Sequence, residues 1–173
     1  MASEKSKIAK LLNEQVNKEF YSAYLYLDFA NFYEDKGLKG FANWFNIQAQ
    51  EERDHAILFI QYMQQNDMKV TLEAIDKPDK KLKELIDPLK ESLAHEKYVT
   101  SLIHNLYGAA SEERDFRCMQ FLDWFIKEQA EEEDNARTNI QKMELFGGDS
   151  KALYMLDQEM QARTYTAPSL TIG

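Results

Sequence analysis

The sequence predicts an all-α protein: four long helices in one bundle, joined by a single long crossover, with a short fifth helix behind them. Three observations carry that expectation. Only 6 glycines and 3 prolines interrupt 173 residues, too few for a fold of many short strands and turns. Apolar residues recur every three or four positions through four segments of helical length. One stretch without that period, "NDMKVTLEAIDKPDKKL" at 66–82, separates the second segment from the third.

The first helix is expected over about 6–35, with a seam of Ile8, Leu12, Gln15, Glu19, Ser22, Tyr26, Phe29 and Tyr33. "DKGLKG" ends it, and Gly37 suits the left-handed residue that follows a helix C-terminus. The second runs over about 38–65, with Phe41, Phe45, Gln48, Glu52, His55, Phe59 and Met63 in line. A helix of about 28 residues is ~40 Å long. Sixteen or so extended residues reach roughly 50 Å. The 66–82 stretch, interrupted by Pro78, can therefore span the bundle and leave the second and third helices parallel.

The third helix is expected over about 83–110, along Leu85, Leu89, Leu93, Glu96, Val99, Ile103, Leu106 and Ala110. A turn containing Ser111 leads to the fourth, about 114–145, along Cys118, Phe121, Phe125, Gln129, Glu132, Ala136, Ile140 and Met143. "GGDS" at 147–150 reads as a C-cap followed by an N-cap. The fifth helix covers about 150–163, with Leu153, Leu156 and Met160 on one side, and the tail 164–173 is expected to be loose. The length suits one domain over 1–173.

The formal net charge of -9 argues against a nucleic-acid partner and favours attraction of cations. The charged start, "MASEKSKIAKLLNEQ", has no apolar core of a secretory signal. No apolar run approaches the ~20 residues that span a bilayer. A lone Cys118 cannot form an intrachain disulfide, which fits a reducing cytoplasm; a small buried or interface residue is its plain role.

The informative anomaly lies in the seams. Glu19 interrupts the first, Glu52 and His55 the second, Glu96 the third and Glu132 the fourth, each near mid-helix. A four-helix bundle brings these positions to one level. An isolated seam acid or histidine is ordinarily a solvated or hydrogen-bonded residue. Here the same anomaly recurs in every long helix, with no basic residue in the seams to neutralise it. Like-charged carboxylates in an apolar core repel one another, and a multivalent cation removes that cost. Glu52 and His55, at i and i+3, offer oxygen and nitrogen from one face. Carboxylates with sparse imidazole suit iron, manganese or zinc.

Beside the seams, Glu51 on the second helix and Glu128 and Glu131 in "EQAEEE" on the fourth flank the same level. A solvated face and a further cation position are both open for them. Tyr26 and Gln129 lie within one or two turns of the acids, where packing and a supporting role are equally open. His95 and His104 lack such context and are expected to be surface or packing residues.

At this point the chain resembles the ferritins, and among them the non-haem bacterial ferritins. "NEQVNKEFYSAYLY", "AQEERDHA", "HEK" and "EQAEEE", the long crossover and the short fifth helix occur in the family's order and spacing over nearly the whole chain. A di-iron site of this kind is a known pattern of ferritin-like bundles. The resemblance implies a ferroxidase centre. Glu19, Glu52 and His55 would hold one iron and Glu52, Glu96 and Glu132 the other, with Tyr26 and Gln129 nearby. It implies a further iron site at Glu51, Glu128 and Glu131 with Glu132. It also implies ferrous iron and O₂ (or peroxide) as substrates, and a ferric mineral stored in a hollow shell of twenty-four subunits.

Two departures narrow the match. The fourth helix carries Gln129-x-x-Glu132 rather than a second Glu-x-x-His, and Arg53 stands where haem-binding relatives carry methionine, so no haem is expected. Met119 and Leu122 stand where animal ferritins place the acids of an entry channel, although Cys118 matches a cysteine there. Entry beside the ferroxidase centre is the alternative. Fifth helices of the family meet at four-fold axes, a role open to Leu153, Leu156 and Met160. Other bundle proteins fit less well. Rubrerythrin-like di-iron enzymes need a Cys-x-x-Cys domain, mini-ferritins lack the fifth helix, and a metal-free bundle leaves the seam carboxylates unexplained.

Overall fold

The computed structural model describes residues 7–172. They form five helices and, among the described residues, no strand: α1 (Lys7–Asp35), α2 (Lys39–Gln65), α3 (Asp87–Glu112), α4 (Phe116–Phe146) and α5 (Ser150–Gln161). The expected start of the first helix at residue 6, most of the N-terminal reading and residue 173 of the tail lie outside the described residues.

The largest boundary difference is at α3, which begins at Asp87 rather than near 83. Pro88 sits in its first turn; a helix running through it would lose a hydrogen bond and meet the proline ring. Asp87 Oδ2 instead accepts the amides of Lys83 and Glu84, both at 2.8 Å, and folds them into a turn.

Three helix ends share one closing motif. After α1, Leu38 N–H reaches Tyr33 O at 2.9 Å and Gly37 N–H reaches Glu34 O at 3.0 Å, with Gly37 at φ 75°. The ends of α2 and α3 repeat this with Asp67 at φ 55° and Arg114 at φ 56°, left-handed conformations occupied without glycine. Aspartates cap the starts of two helices: Asp115 accepts from Cys118 N at 3.0 Å, and Asp149 from Ala152 N at 2.8 Å. The start of α2 has no side-chain cap of its own. Buried Asp157 of α5 accepts the Phe41 N–H at 3.0 Å instead. Gly40 makes that approach possible, since a Cβ there would lie 1.7 Å from the Asp157 carbonyl oxygen.

The crossover follows α1 from end to end. Asn13 and Thr71 exchange two hydrogen bonds of 3.0 and 2.7 Å, Asn17 Nδ2 donates to Ala74 O, and Tyr33 OH donates to Leu85 O. It therefore delivers the chain to the end where α2 began, and α3 runs parallel to α2 as expected.

The apolar core falls into two parts. At one end Leu12, Phe59, Met63, Ile103, Cys118, Phe121 and Phe125 pack together. At the other Leu25, Phe29, Tyr33, Phe41, Phe45, Leu89, Leu156 and Met160 do so. Between them lies a polar layer of Gln15, Glu19, Ser22, Gln48, Glu52, His55, Glu96, Gln129 and Glu132, all buried.

Two expectations need correction. Of Leu153, Leu156 and Met160 on α5, the last two are buried in this chain's own core and Leu153 is partly buried against it; Tyr154 and Met155 are the exposed large apolar residues of that helix. The tail is not loose: Trp124 Nε1 donates to Ser169 Oγ at 2.9 Å, Tyr165 OH donates to Asp54, and Leu170 and Ile172 pack on the first core part.

Candidate metal centre

Each long helix contributes to the polar layer because its apolar stripe continues straight through it. Glu19 comes from α1, Glu52 and His55 from α2, Glu96 from α3 and Glu132 from α4; none is more than 6% exposed. Glu19, Glu52 and His55 bring one ligand atom each to within 4.8 Å of one another. Glu52 is also held at its other neighbours: His55 Nδ1 lies 3.4 Å from its Oε2, and Gln48 Nε2 lies 3.5 Å from its Oε1.

Amides and hydroxyls position the rest. Gln15 Nε2 donates to Glu19 Oε1 at 2.7 Å and Gln48 Nε2 to Glu132 Oε2 at 2.6 Å. Gln129 Nε2 donates to Glu96 Oε2 at 3.0 Å, and the Tyr26 hydroxyl donates to Glu96 Oε1. Glu19 Oε2 is the one buried side-chain nitrogen or oxygen among the described residues with no hydrogen-bond partner. Leaving such an atom unmet costs about 1–3 kcal/mol, more if it is charged. It faces Glu52, with which it can share a proton in the metal-free chain or a cation in the metal-bound one.

The electrostatics agree. Burial pushes the Glu19, Glu52 and Glu132 carboxyls well above the usual range, and the neighbouring carboxylates push further. Glu96 is raised by burial too, against the hydrogen bonds from Tyr26 and Gln129 that favour its charged form. Tyr26 is held protonated by burial and by Glu96. A multivalent cation reverses this balance. The converging set of two carboxylates and one imidazole, Glu19, Glu52 and His55, with an unmet oxygen among them, suits iron, manganese or zinc, while Glu96 and Glu132 are buried at the same level but outside that group.

His95 is a packing residue, as expected, but a buried one. Ser22 Oγ donates to Lys18 O at 3.0 Å and is hydrogen-bonded to His95 Nε2 at 2.7 Å. Burial pushes its pKa down to about 4. Its ring meets Tyr26 edge-on, with centroids 5.9 Å apart. His104 is on the surface.

Glu51 and Glu128 are half-buried and Glu131 is exposed, one position off the seams. All three line a cavity of about 430 Å³ together with His55, Glu132 and, from the tail, Thr164 and residues 166–169. Burial raises Glu51 and Glu128 above the ordinary carboxylate range. Sequence reasoning missed one residue that lines this cavity. Arg163, just after α5, donates to Glu51 Oε2 at 2.5 Å and to Gln48 Oε1 at 2.9 Å, and its guanidinium lies 4.1 Å from the centroid of the Trp44 ring. Gln15 and Gln48 were visible as polar residues one turn before Glu19 and Glu52. Arg163 was not, since nothing local ties it to a residue 112 positions away.

A family model described as a ferritin-like domain matches residues 9–146. The bacterial non-heme ferritin of Staphylococcus saprophyticus is 36% identical over 154 residues, covering 89% of this chain and 92% of that protein. A probable bacterial non-heme ferritin-like protein of Haemophilus influenzae is 33% identical, covering 88% of this chain and 93% of that one. Among solved structures, an open-pore ferritin from the archaeon Archaeoglobus fulgidus superimposes with a TM-score of 0.90 at 39% identity, over 95% of this chain and all of that one. A closed form of the same ferritin, engineered by site-directed mutagenesis, gives a TM-score of 0.91.

Proposed function

Because the chain belongs to the ferritin family, we propose that it stores iron, oxidising ferrous ions at the buried polar layer and holding the ferric product as mineral inside a shell of its own copies. The observation that carries the reading is the unmet Glu19 Oε2 beside Glu52 and His55, at the one level where every long helix buries an acid.

Iron is the substrate. Glu19, Glu52 and His55 receive one ferrous ion; Glu96 and Glu132, with Glu52 between the two groups, receive the second. Each ion gives one electron to O₂, which takes up protons and leaves reduced, as peroxide. The carboxylates, poorly stabilised without metal, bind a trivalent product more strongly than the divalent substrate and so favour oxidation. Gln15, Gln48, Gln129 and Tyr26 fix the carboxylate orientations through the hydrogen bonds above. Glu51, Glu128 and Glu131 take the product onward to the cavity of the shell. Arg53, exposed and 3.4 Å from Asp54, offers no haem ligand.

Self-association is supported by an exposed apolar strip on α1 and the crossover: Tyr24, Leu27, Leu72 and Ile75 are each 43–70% exposed. No described helix is long and apolar enough to cross a membrane. A cytoplasmic shell is the reading we adopt.

Glu52→Ala and His55→Ala test the centre. Each should slow ferrous oxidation by at least about a hundredfold, read by O₂ uptake, while the assembly elutes unchanged. Rapid oxidation in both variants would place the chemistry elsewhere.

A further inference from the structure

We infer that Arg163 is a tethered cation: it occupies the outer metal position at Glu51 when iron is absent and withdraws when iron arrives. The inference rests on the proposed function, since it assumes that Glu51 takes a metal ion.

The position of this arginine is built. Its side chain is only 17% exposed although it stands at the start of a solvent-facing tail. One guanidinium nitrogen serves Glu51 Oε2. The other serves Gln48 Oε1 and the Trp44 carbonyl, at 2.9 and 3.2 Å. The plane covers the Trp44 indole, a contact that strengthens as water is excluded. One arm of the guanidinium thus makes a charge-assisted bond to the carboxylate while the other is fixed by two neutral oxygens.

The contact to Gln48 carries the effect inward. With Oε1 turned to Arg163, the Gln48 amide must present its NH₂ to Glu52 and Glu132, as it does at 3.5 and 2.6 Å. Arg163 therefore holds in place a donor for the inner carboxylates of the metal-free centre. A cation at Glu51 cannot share its oxygens with a guanidinium at 2.5 Å without repulsion. When the metal binds, the arginine leaves Trp44, the Gln48 amide is free to turn, and the first turn of the tail lifts. Tyr165–Asp54 and Trp124–Ser169 keep the rest of the tail attached, so the arginine returns once the ion has moved on.

Zinc(II), which does not change oxidation state, is the probe. Metal-free full-length protein is titrated by calorimetry while tryptophan emission is followed. In the unaltered protein the first two equivalents per chain should bind tightly. The third should bind more weakly and bring a change in emission as the guanidinium leaves Trp44. In Arg163→Gln the third equivalent should bind about fivefold more tightly, the scale of one part-buried ion pair, and its emission change should vanish. Arg163→Met, which keeps an apolar stem over the indole, gives the same readings should the glutamine variant fail to assemble. Glu51→Gln should remove the third step and keep the first two. If the first two equivalents bind only weakly, the metal centre itself is wrong and the inference falls with it. If they bind tightly but the Arg163 variants leave the third affinity and the emission unchanged, the metal-centre reading stands and the role given to Arg163 is overturned.

Discussion

At the scale of residues, the main fact is that Glu19, Glu52, Glu96 and Glu132 are buried together with more negative charge than their surroundings compensate. Each has its pKa raised by burial first. The sign for stability follows. Above the ordinary glutamate value, about 4.3, the metal-free native state holds protons that the unfolded chain has released, so stability falls as pH rises. Two groups act in the opposite sense: Asp87, held low by the amides of Glu84 and Lys83, whose contribution is complete before about pH 5, and His95, pushed down to about 4 by burial, whose contribution grows until about pH 7.5 but is that of one group against four carboxyls. The metal-free protein should therefore melt at a higher temperature at pH 5.5 than at pH 8 (roughly the range above the carboxylate values), measured by scanning calorimetry. Glu132→Gln should flatten that dependence, and zinc(II) should invert it. A metal-free protein whose stability rises across the same range would show that the acids are charged and satisfied by the protein alone. The four acids and His55 were legible in the sequence because a helical stripe is a geometric statement: a residue in line with Phe45 and Phe59 must point where they point. Their hydrogen-bond partners were legible only as neighbours in the seam, since which amide meets which carboxylate depends on how the helices are placed against each other.

At the scale of elements, helix periodicity located all four long helices, and glycine and proline marked some of their ends. Gly37 marked the end of α1 correctly. The ends of α2 and α3 use the same motif but place Asp67 and Arg114 at its left-handed position, so no glycine announced them. A left-handed conformation costs a residue with a Cβ about 1 kcal/mol. Among the described residues, neither side chain makes a hydrogen bond or ion pair that would be lost. Asp67→Gly and Arg114→Gly should each raise stability by about 0.5–1 kcal/mol, read as a higher denaturant midpoint of the metal-free protein. A lowered midpoint would show that the side chains are needed there. The start of α3 shows the converse. The seam Leu85–Leu89 suggested a helix from 83, but Pro88 overrode the period, and Leu85 reaches the core from a turn. The crossover was legible from its length alone, because the distance it must cover is fixed by the helices it joins.

At the scale of the whole molecule, the polar layer divides the core into two apolar ends, and those ends hold the bundle together around a centre that is unfavourable until metal arrives. Under the proposed function, this separation would let the site bind and release iron without unfolding the scaffold. The tail was the least legible part. Its composition is that of a free terminus, yet Arg163, Tyr165, Ser169, Leu170 and Ile172 attach it across the outer side of the centre. Each attachment joins residues far apart in sequence, and no local pattern encodes such contacts. The α5 apolar face was legible as apolar but not as to its partner, which is this chain's own α2 and α4. Storage, as opposed to binding, is a property of the assembly. Aerobic addition of ferrous iron to the metal-free protein, in large excess over chains, tests it most directly, with O₂ uptake followed and the product separated by size. Many irons oxidised per chain, eluting with one large soluble particle, are expected. Iron uptake that stops at about two per chain, on a small oligomer, would contradict storage and mark the protein as a di-iron enzyme with a substrate still to be found.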